Sequence, residues 1–140
     1  MAREILFKAK RIDNGEWVEG LLWKKKYQSN KWFISCFPDK DDNEEVYVID
    51  INTLCQYTGL TDKNGNKIWE NDVVRYSDEV INKVKEDLIV WHETYASFCR
   101  LHENKMGLQY LLINENISKE CEVIGNIFDN PELLGGADNG

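Results

Sequence analysis

Apolar residues recur along this chain with a period of two far more often than 3.6, the pattern of half-buried strands rather than amphipathic helices. Glu4-Ile5-Leu6-Phe7-Lys8-Ala9-Lys10 and Trp17-Val18-Glu19-Gly20-Leu21-Leu22-Trp23 flank Asp13-Asn14-Gly15-Glu16, which predicts strand, turn and strand. Asn14-Gly15 suits a type I′ hairpin turn because both residues accept positive φ. A polar interval, Lys24-Lys25-Lys26 with Gln28-Ser29-Asn30, leads into a strand at Trp32-Phe33-Ile34-Ser35-Cys36-Phe37. Pro38 ends it by lacking a ladder donor. From Asp39 to Glu45 six of seven residues are charged, which places that stretch in a solvated loop.

Val46-Tyr47-Val48-Ile49 restores strand character, Asp50 to Thr53 reads as a turn, and Leu54-Cys55-Gln56-Tyr57-Thr58 as another strand. Thr58 to Trp69 sets a polar turn containing Gly65 between two apolar arms, a further hairpin. Glu70-Asn71-Asp72 then turns the chain into Val73-Val74-Arg75-Tyr76. In Asp78 to Asp87, Val80, Ile81 and Val84 fit one helical face, so a loop with a turn of helix is expected there. Leu88 to His92 and Ala96 to Leu101 predict a strand pair around Glu93-Thr94-Tyr95. Glu103 to Gly107 is expected as a loop, Leu108 to Ile113 as a strand, Asn114 to Asn116 as a turn and Cys121 to Phe128 as the last strand. Asp129 to Leu134 predicts a short helical turn. About eight to ten short strands with turns every 8–12 residues point to an all-β barrel or sandwich. The expected division is a hairpin-rich part over 1–58, a second part over 59–134 and a flexible tail over 135–140.

Composition narrows the function. The 140 residues carry 25 Asp and Glu against 17 Lys and Arg, a net charge of −8, so a polyanion is disfavoured as the default partner. No apolar run approaches the roughly 20 residues that span a bilayer, and no basic-then-apolar secretion signal opens the chain. The expectation is no membrane and a cytoplasmic location. Cys36, Cys55, Cys99 and Cys121 lack the close spacing of structural zinc ligands and read as reduced, strand-buried thiols.

Candidate chemistry is sparse. Cys99 with His102 and His92 is the one combination suited to zinc, and Cys99, His92 and Glu93 the one thiol site that can be drawn. The acidic pairs Asp41-Asp42, Glu44-Glu45 and Asp62 with Asp72 do not follow a calcium-loop pattern. No phosphate-binding glycine loop is present. Catalytic residues, metal and cofactor are therefore all expected to be absent, and no enzyme is predicted. The local feature that stands out is Trp23-Lys24-Lys25-Lys26-Tyr27 with Lys31-Trp32, where cations and aromatics interleave as on a nucleic-acid stacking platform. Trp23, Lys24, Lys25 and Trp32 are the candidate binding residues. The same lysines equally suit a soluble hairpin end.

Thr58-Gly59-Leu60-Thr61-Asp62-Lys63-Asn64-Gly65 through Ile68-Trp69-Glu70-Asn71-Asp72-Val73-Val74, with Val123-Ile124-Gly125-Asn126-Ile127-Phe128-Asp129-Asn130-Pro131-Glu132-Leu133-Leu134, resembles the YopX family of phage and prophage proteins. Arg3-Glu4-Ile5-Leu6-Phe7-Lys8-Ala9 is similar to the usual start of that family. Asn71 departs from the family's usual Gly, and Asn is the next best residue at positive φ. The resemblance implies a mainly β protein of temperate phages of Gram-positive hosts, with residues 59–134 similar to an SH3-like barrel, and it implies no activity. Asp62, Gly65, Asp72, Gly125, Asn126 and Pro131 are read as structural. The expected function is a phage or prophage accessory protein that binds or assembles with protein, either itself as a homo-oligomer or a host or phage partner. Nucleic-acid binding, or acidic inhibition of a host DNA-binding protein, is the alternative.

Overall fold

The computed structural model describes residues 4–27, 30–38 and 43–133. Most of the expected charged loop, Gln28, Ser29, Leu134 and the expected tail over 135–140 lie outside the described residues. The elements are β1 (Phe7–Arg11), β2 (Trp17–Trp23), β3 (Trp32–Cys36), β4 (Glu45–Thr61), β5 (Lys67–Trp69), β6 (Asp72–Asp78), β7 (Lys83–His92), β8 (Ser97–Asn104), β9 (Gly107–Leu112), α1 (Glu115–Ser118) and β10 (Glu122–Asn126). The protein is mainly β, as its period-two pattern requires. Contacts divide it into two compact units, Met1–Tyr57 and Thr58–Gly140, with β4 running from the first into the second.

In the first unit β1 pairs with β2, β2 with β3, β3 with β4, and β4 returns to β1, all antiparallel, so four strands close on themselves. Alternation turns Phe7 and Ala9, Val18 and Leu22, Trp32, Ile34 and Cys36, and Ile49 toward a common core. Gly20 is required where β2 passes β3, because a Cβ there would stand 2.0 Å from the Ser35 carbonyl oxygen.

Two expectations change here. The link from β1 to β2 is not a two-residue type I′ turn: Gly15 has φ +74°, but Asn14 is not among the positive-φ residues. Asn14 instead accepts the Glu16 N–H on its own side chain at 2.9 Å, and Arg11 N–H donates to Glu16 O at 2.8 Å, closing a longer loop. The turn expected at Asp50 to Thr53 is a bulge inside one continuous strand. Pairing with β1 jumps from Lys8 opposite Cys55 to Lys10 opposite Asp50. Asp50 accepts the Asn52 N–H at 3.0 Å, and the Thr53 hydroxyl donates to Asp50 O at 2.7 Å while accepting Lys10 N–H at 2.8 Å. The turn chemistry read from these residues is present, and β1 absorbs it.

In the second unit an antiparallel sheet runs β10-β6-β7-β8-β9. Ile68, Val74, Ile89, Ile113 and Cys121 form its core, with Leu60, Tyr76, Phe98, Ile117 and Val123 packed around them. Residues 78–87 carry no helical turn. Asp78 stands opposite Lys83 in a hairpin, its carboxylate accepting Val80 N–H and salt-bridging Lys85 at 3.0 Å, which puts Val80 in the exposed turn. The loop expected at Glu103 to Gly107 shrinks to the two-residue turn Lys105-Met106 between Asn104 and its partner Gly107. The turn at Asn114 becomes α1, capped by the Asn114 side chain on Ile117 N–H at 3.0 Å. The last strand stops at Asn126 rather than Phe128 because the Asn126 side chain takes the N–H groups of Phe128 and Asp129.

Candidate functional site

Trp23 and Trp32 stand at the facing ends of β2 and β3, and the chain between them carries Lys24 and Lys25. Trp23 is opposite Phe33 and stacks on it, ring centroids 4.5 Å apart and planes 15° from parallel. Its indole N–H donates to Ser35 Oγ at 2.7 Å, and that hydroxyl donates to Glu44 at 2.6 Å. Trp32 packs against the core, with the Lys24 ammonium 4.8 Å from its ring centre. Lys25 lies 5.9 Å from the Phe33 ring and Lys26 5.6 Å from Tyr27, which is 88% exposed. Cations and aromatics are thus gathered at one hairpin end, as their spacing suggested. The rings are largely engaged by one another and by lysines, and the exposed groups are chiefly ammonium.

The thiol and imidazole residues do not converge. Cys99 and His102 are three positions apart on β8 and face opposite sides of the sheet. The Cys99 thiol lies 3.7 Å from Ser97 Oγ, whereas His92 Nδ1 accepts Tyr95 N–H at 3.3 Å and its ring contacts Tyr95 and Tyr110, each centroid 4.4 Å away. Among the described residues no group of three or more His, Cys, Asp or Glu is placed to hold a metal ion. Among the same described residues no helix is long and apolar enough to cross a membrane.

Sequence reasoning missed a polar cluster beside the second core. The Asp87 side chain is fully buried and accepts from Arg100 Nη1 at 3.2 Å, contacts His102 Nδ1 at 2.7 Å and bonds the Tyr76 hydroxyl. Arg100 also donates from Nε to Leu112 O at 2.8 Å. Burial, followed by the Asp87 carboxylate, holds the Tyr76 phenol well above its usual pKa, so it stays protonated. Tyr76 and Arg100 open onto a hollow of about 620 Å³ rimmed by Lys63, Arg75, Asp78 and Glu122. Its lining has no histidine or cysteine among the described residues. The carboxylate is compensated on every side, which is the requirement for keeping a charge in a core.

The second missed feature is β9. Five of its six residues are exposed, including Leu108 at 59%, Tyr110 at 49% and Leu112 at 66%, and it forms an edge of the sheet. It has neither charge nor proline. Charge is also unevenly placed along the chain: residues 1–57 hold nine Lys and Arg against ten Asp and Glu, residues 58–140 eight against fifteen.

The family described as YopX protein matches residues 6–135. No curated protein matches the chain. Among solved structures, the crystal structure of protein EF1440 from Enterococcus faecalis is similar over 95% of this chain and 99% of that one, with 22% sequence identity and a TM-score of 0.53. At that identity the likeness shows a shared fold and nothing more.

Proposed function

The chain belongs to the YopX family, and on that premise we propose that it is a non-enzymatic protein-binding or assembly module, an accessory protein of phage or prophage acting in the cytoplasm of the host bacterium. The observation that carries the reading is β9, an uncharged apolar strand at a sheet edge with most of its side chains in solvent. Edges of this kind template pairing with another chain unless they are blunted, and β9 has no blunting device. A Leu108→Lys/Leu112→Lys variant puts two charges on that edge. Tagged parent chain should retain a protein partner, its own kind or another, that the variant loses. Retention of nothing by a parent that light scattering shows to be strictly monomeric overturns the reading.

A second reading, nucleic-acid binding through the first unit, is favoured by the lysines ranged over Trp32 and Phe33. A low-salt gel shift of the parent against Lys24→Glu/Lys25→Glu/Lys26→Glu decides it: no shift with either chain removes this reading. The acidic excess of residues 58–140 supports a third, inhibition of a basic host DNA-binding protein, for which competition with DNA for that protein is the assay.

A further inference from the structure

We propose that the outer face of the sheet in the first unit binds single-stranded nucleic acid, with bases stacked on Trp17 and Trp23 and phosphates held by Lys8, Lys10 and Lys25. The proposal rests on the nucleic-acid reading above and moves its centre from the hairpin end to the sheet face.

Alternation decides which residues share that face. Ala9, Val18, Leu22, Ile34 and Ile49 point toward the core, so their strand neighbours point away from it. Register then sets Lys8 opposite Glu19, Lys10 opposite Trp17, Trp23 opposite Phe33 and Phe33 opposite Val48, on one surface that crosses β1 to β4. In an antiparallel sheet the face turned away from the core is ordinarily polar. This one carries Trp17, Leu21, Trp23, Phe33, Val46 and Val48, with Leu21 53% and Val46 45% exposed. None of them belongs to the core cluster of the unit.

The rings have cations beside them. Lys8 and Lys10 place their ammonium groups 4.6 and 5.4 Å from the Trp17 ring centre, and Lys25 lies 5.9 Å from that of Phe33. Trp23 stacks on Phe33 at 4.5 Å, and because Phe33 is only 9% exposed, Trp23 is the outer ring of that pair. A nucleotide uses both groups at once, a flat ring for its base and an ammonium for its phosphate. Trp17 and Trp23 are six positions apart on β2, about 20 Å at about 3.4 Å per residue, so one strand of several nucleotides reaches both.

Charge selects nucleic acid as the occupant. The face and the adjoining hairpin end carry Lys8, Lys10, Lys24, Lys25, Lys26 and Lys31 against Glu19, Asp50 and Glu44, the last bonded to Ser35 Oγ at 2.6 Å. The local sign is therefore positive, although the whole chain carries −8. Exposed rings suit a single strand, whose bases are splayed and free to stack, better than a duplex, whose bases already stack on one another.

Anisotropy of a labelled oligothymidine of about eight nucleotides, at low salt, tests this. The parent should bind it more tightly than a duplex of the same length. Trp17→Ala, still folded by circular dichroism, should bind about 5- to 150-fold more weakly, the range set by losing one stacked base, and Trp17→Phe should recover most of the loss. Lys8→Gln/Lys10→Gln removes two phosphate contacts and should lower the slope of log affinity against log salt by about 1.4, at about 0.7 per contact on a single strand. That variant carries the test if Trp17→Ala does not fold. Full-strength binding by folded Trp17→Ala, an unchanged salt slope in Lys8→Gln/Lys10→Gln, or tighter binding of the duplex overturns the proposal and leaves the nucleic-acid reading at the hairpin end. A parent that binds neither strand nor duplex overturns both.

Discussion

Replacing Asp62 probes how the second unit is held together. Asp62 is 3% exposed and its carboxylate serves two segments at once. Oδ1 accepts Asn64 N–H and Asn66 N–H, both at 2.9 Å, fixing the turn before β5, and Oδ2 accepts Val123 N–H at 3.0 Å, tying that turn to β10 sixty-one residues away. Bonds to a charged acceptor contribute about 1.5–3 kcal/mol each, and a buried donor left alone costs about 1–3 kcal/mol. Asn64 and Asn66 are exposed, so water replaces much of what the turn loses, but Val123 is partly buried. Asp62→Ala should therefore cost about 3–5 kcal/mol on that scale. Asp62→Asn keeps an oxygen for the turn and sets an amide N–H against Val123 N–H, costing about 1.5–3 kcal/mol. Burial pushes the Asp62 carboxyl pKa up, and the N–H groups of Val123, Asn66 and Asn64 outweigh it, so the net is below the usual carboxylate value. A lowered folded-state pKa contributes stability that is complete above the unfolded value of about 3.9 and disappears as pH falls through the folded value. Urea unfolding followed through the indole resonances of Trp69 and Trp91 reports on this unit, and Asp62→Asn should flatten the acid limb of its stability curve. A loss below about 1 kcal/mol in Asp62→Ala, or Asn costing more than Ala, refutes the reasoning, since one lost bond to a charged acceptor already exceeds that.

Gly20→Ala should destabilise the first unit by about 2–4 kcal/mol, because the backbone carbonyl of Ser35 occupies the space a methyl needs; a thermal midpoint equal to the parent's sinks this. Asp87→Ala strips Arg100 and His102 of their buried partner and should cost about 3–5 kcal/mol in urea unfolding, a neutral result meaning that water replaces the carboxylate. Trp23→Phe preserves an aromatic ring against Phe33 and removes the N–H bond to Ser35, so a loss of about 1 kcal/mol is expected. A loss several times larger would assign Trp23 to the core rather than to the hairpin end.

Strands were legible in the sequence because a two-residue period survives local noise, and so were the turns whose side chains act within a few residues, such as Asp62 and Asn71, the latter at φ +74°. Residues 78–87 misled because Val80, Ile81 and Val84 have helical spacing, while Asp78 had already committed the backbone to a hairpin. Asp50 and Thr53 were legible as turn formers, but only the pairing with Lys10 shows that they bulge a strand instead of ending it. The lysine and tryptophan island was visible as composition; the direction of the rings follows from Trp23 standing opposite Phe33, a matter of register. Asp87, Arg100 and His102 were invisible together for the same reason. Arg100 is opposite Ile89 and His102 opposite Gln109, so their meeting at Asp87 depends on strand order rather than spacing.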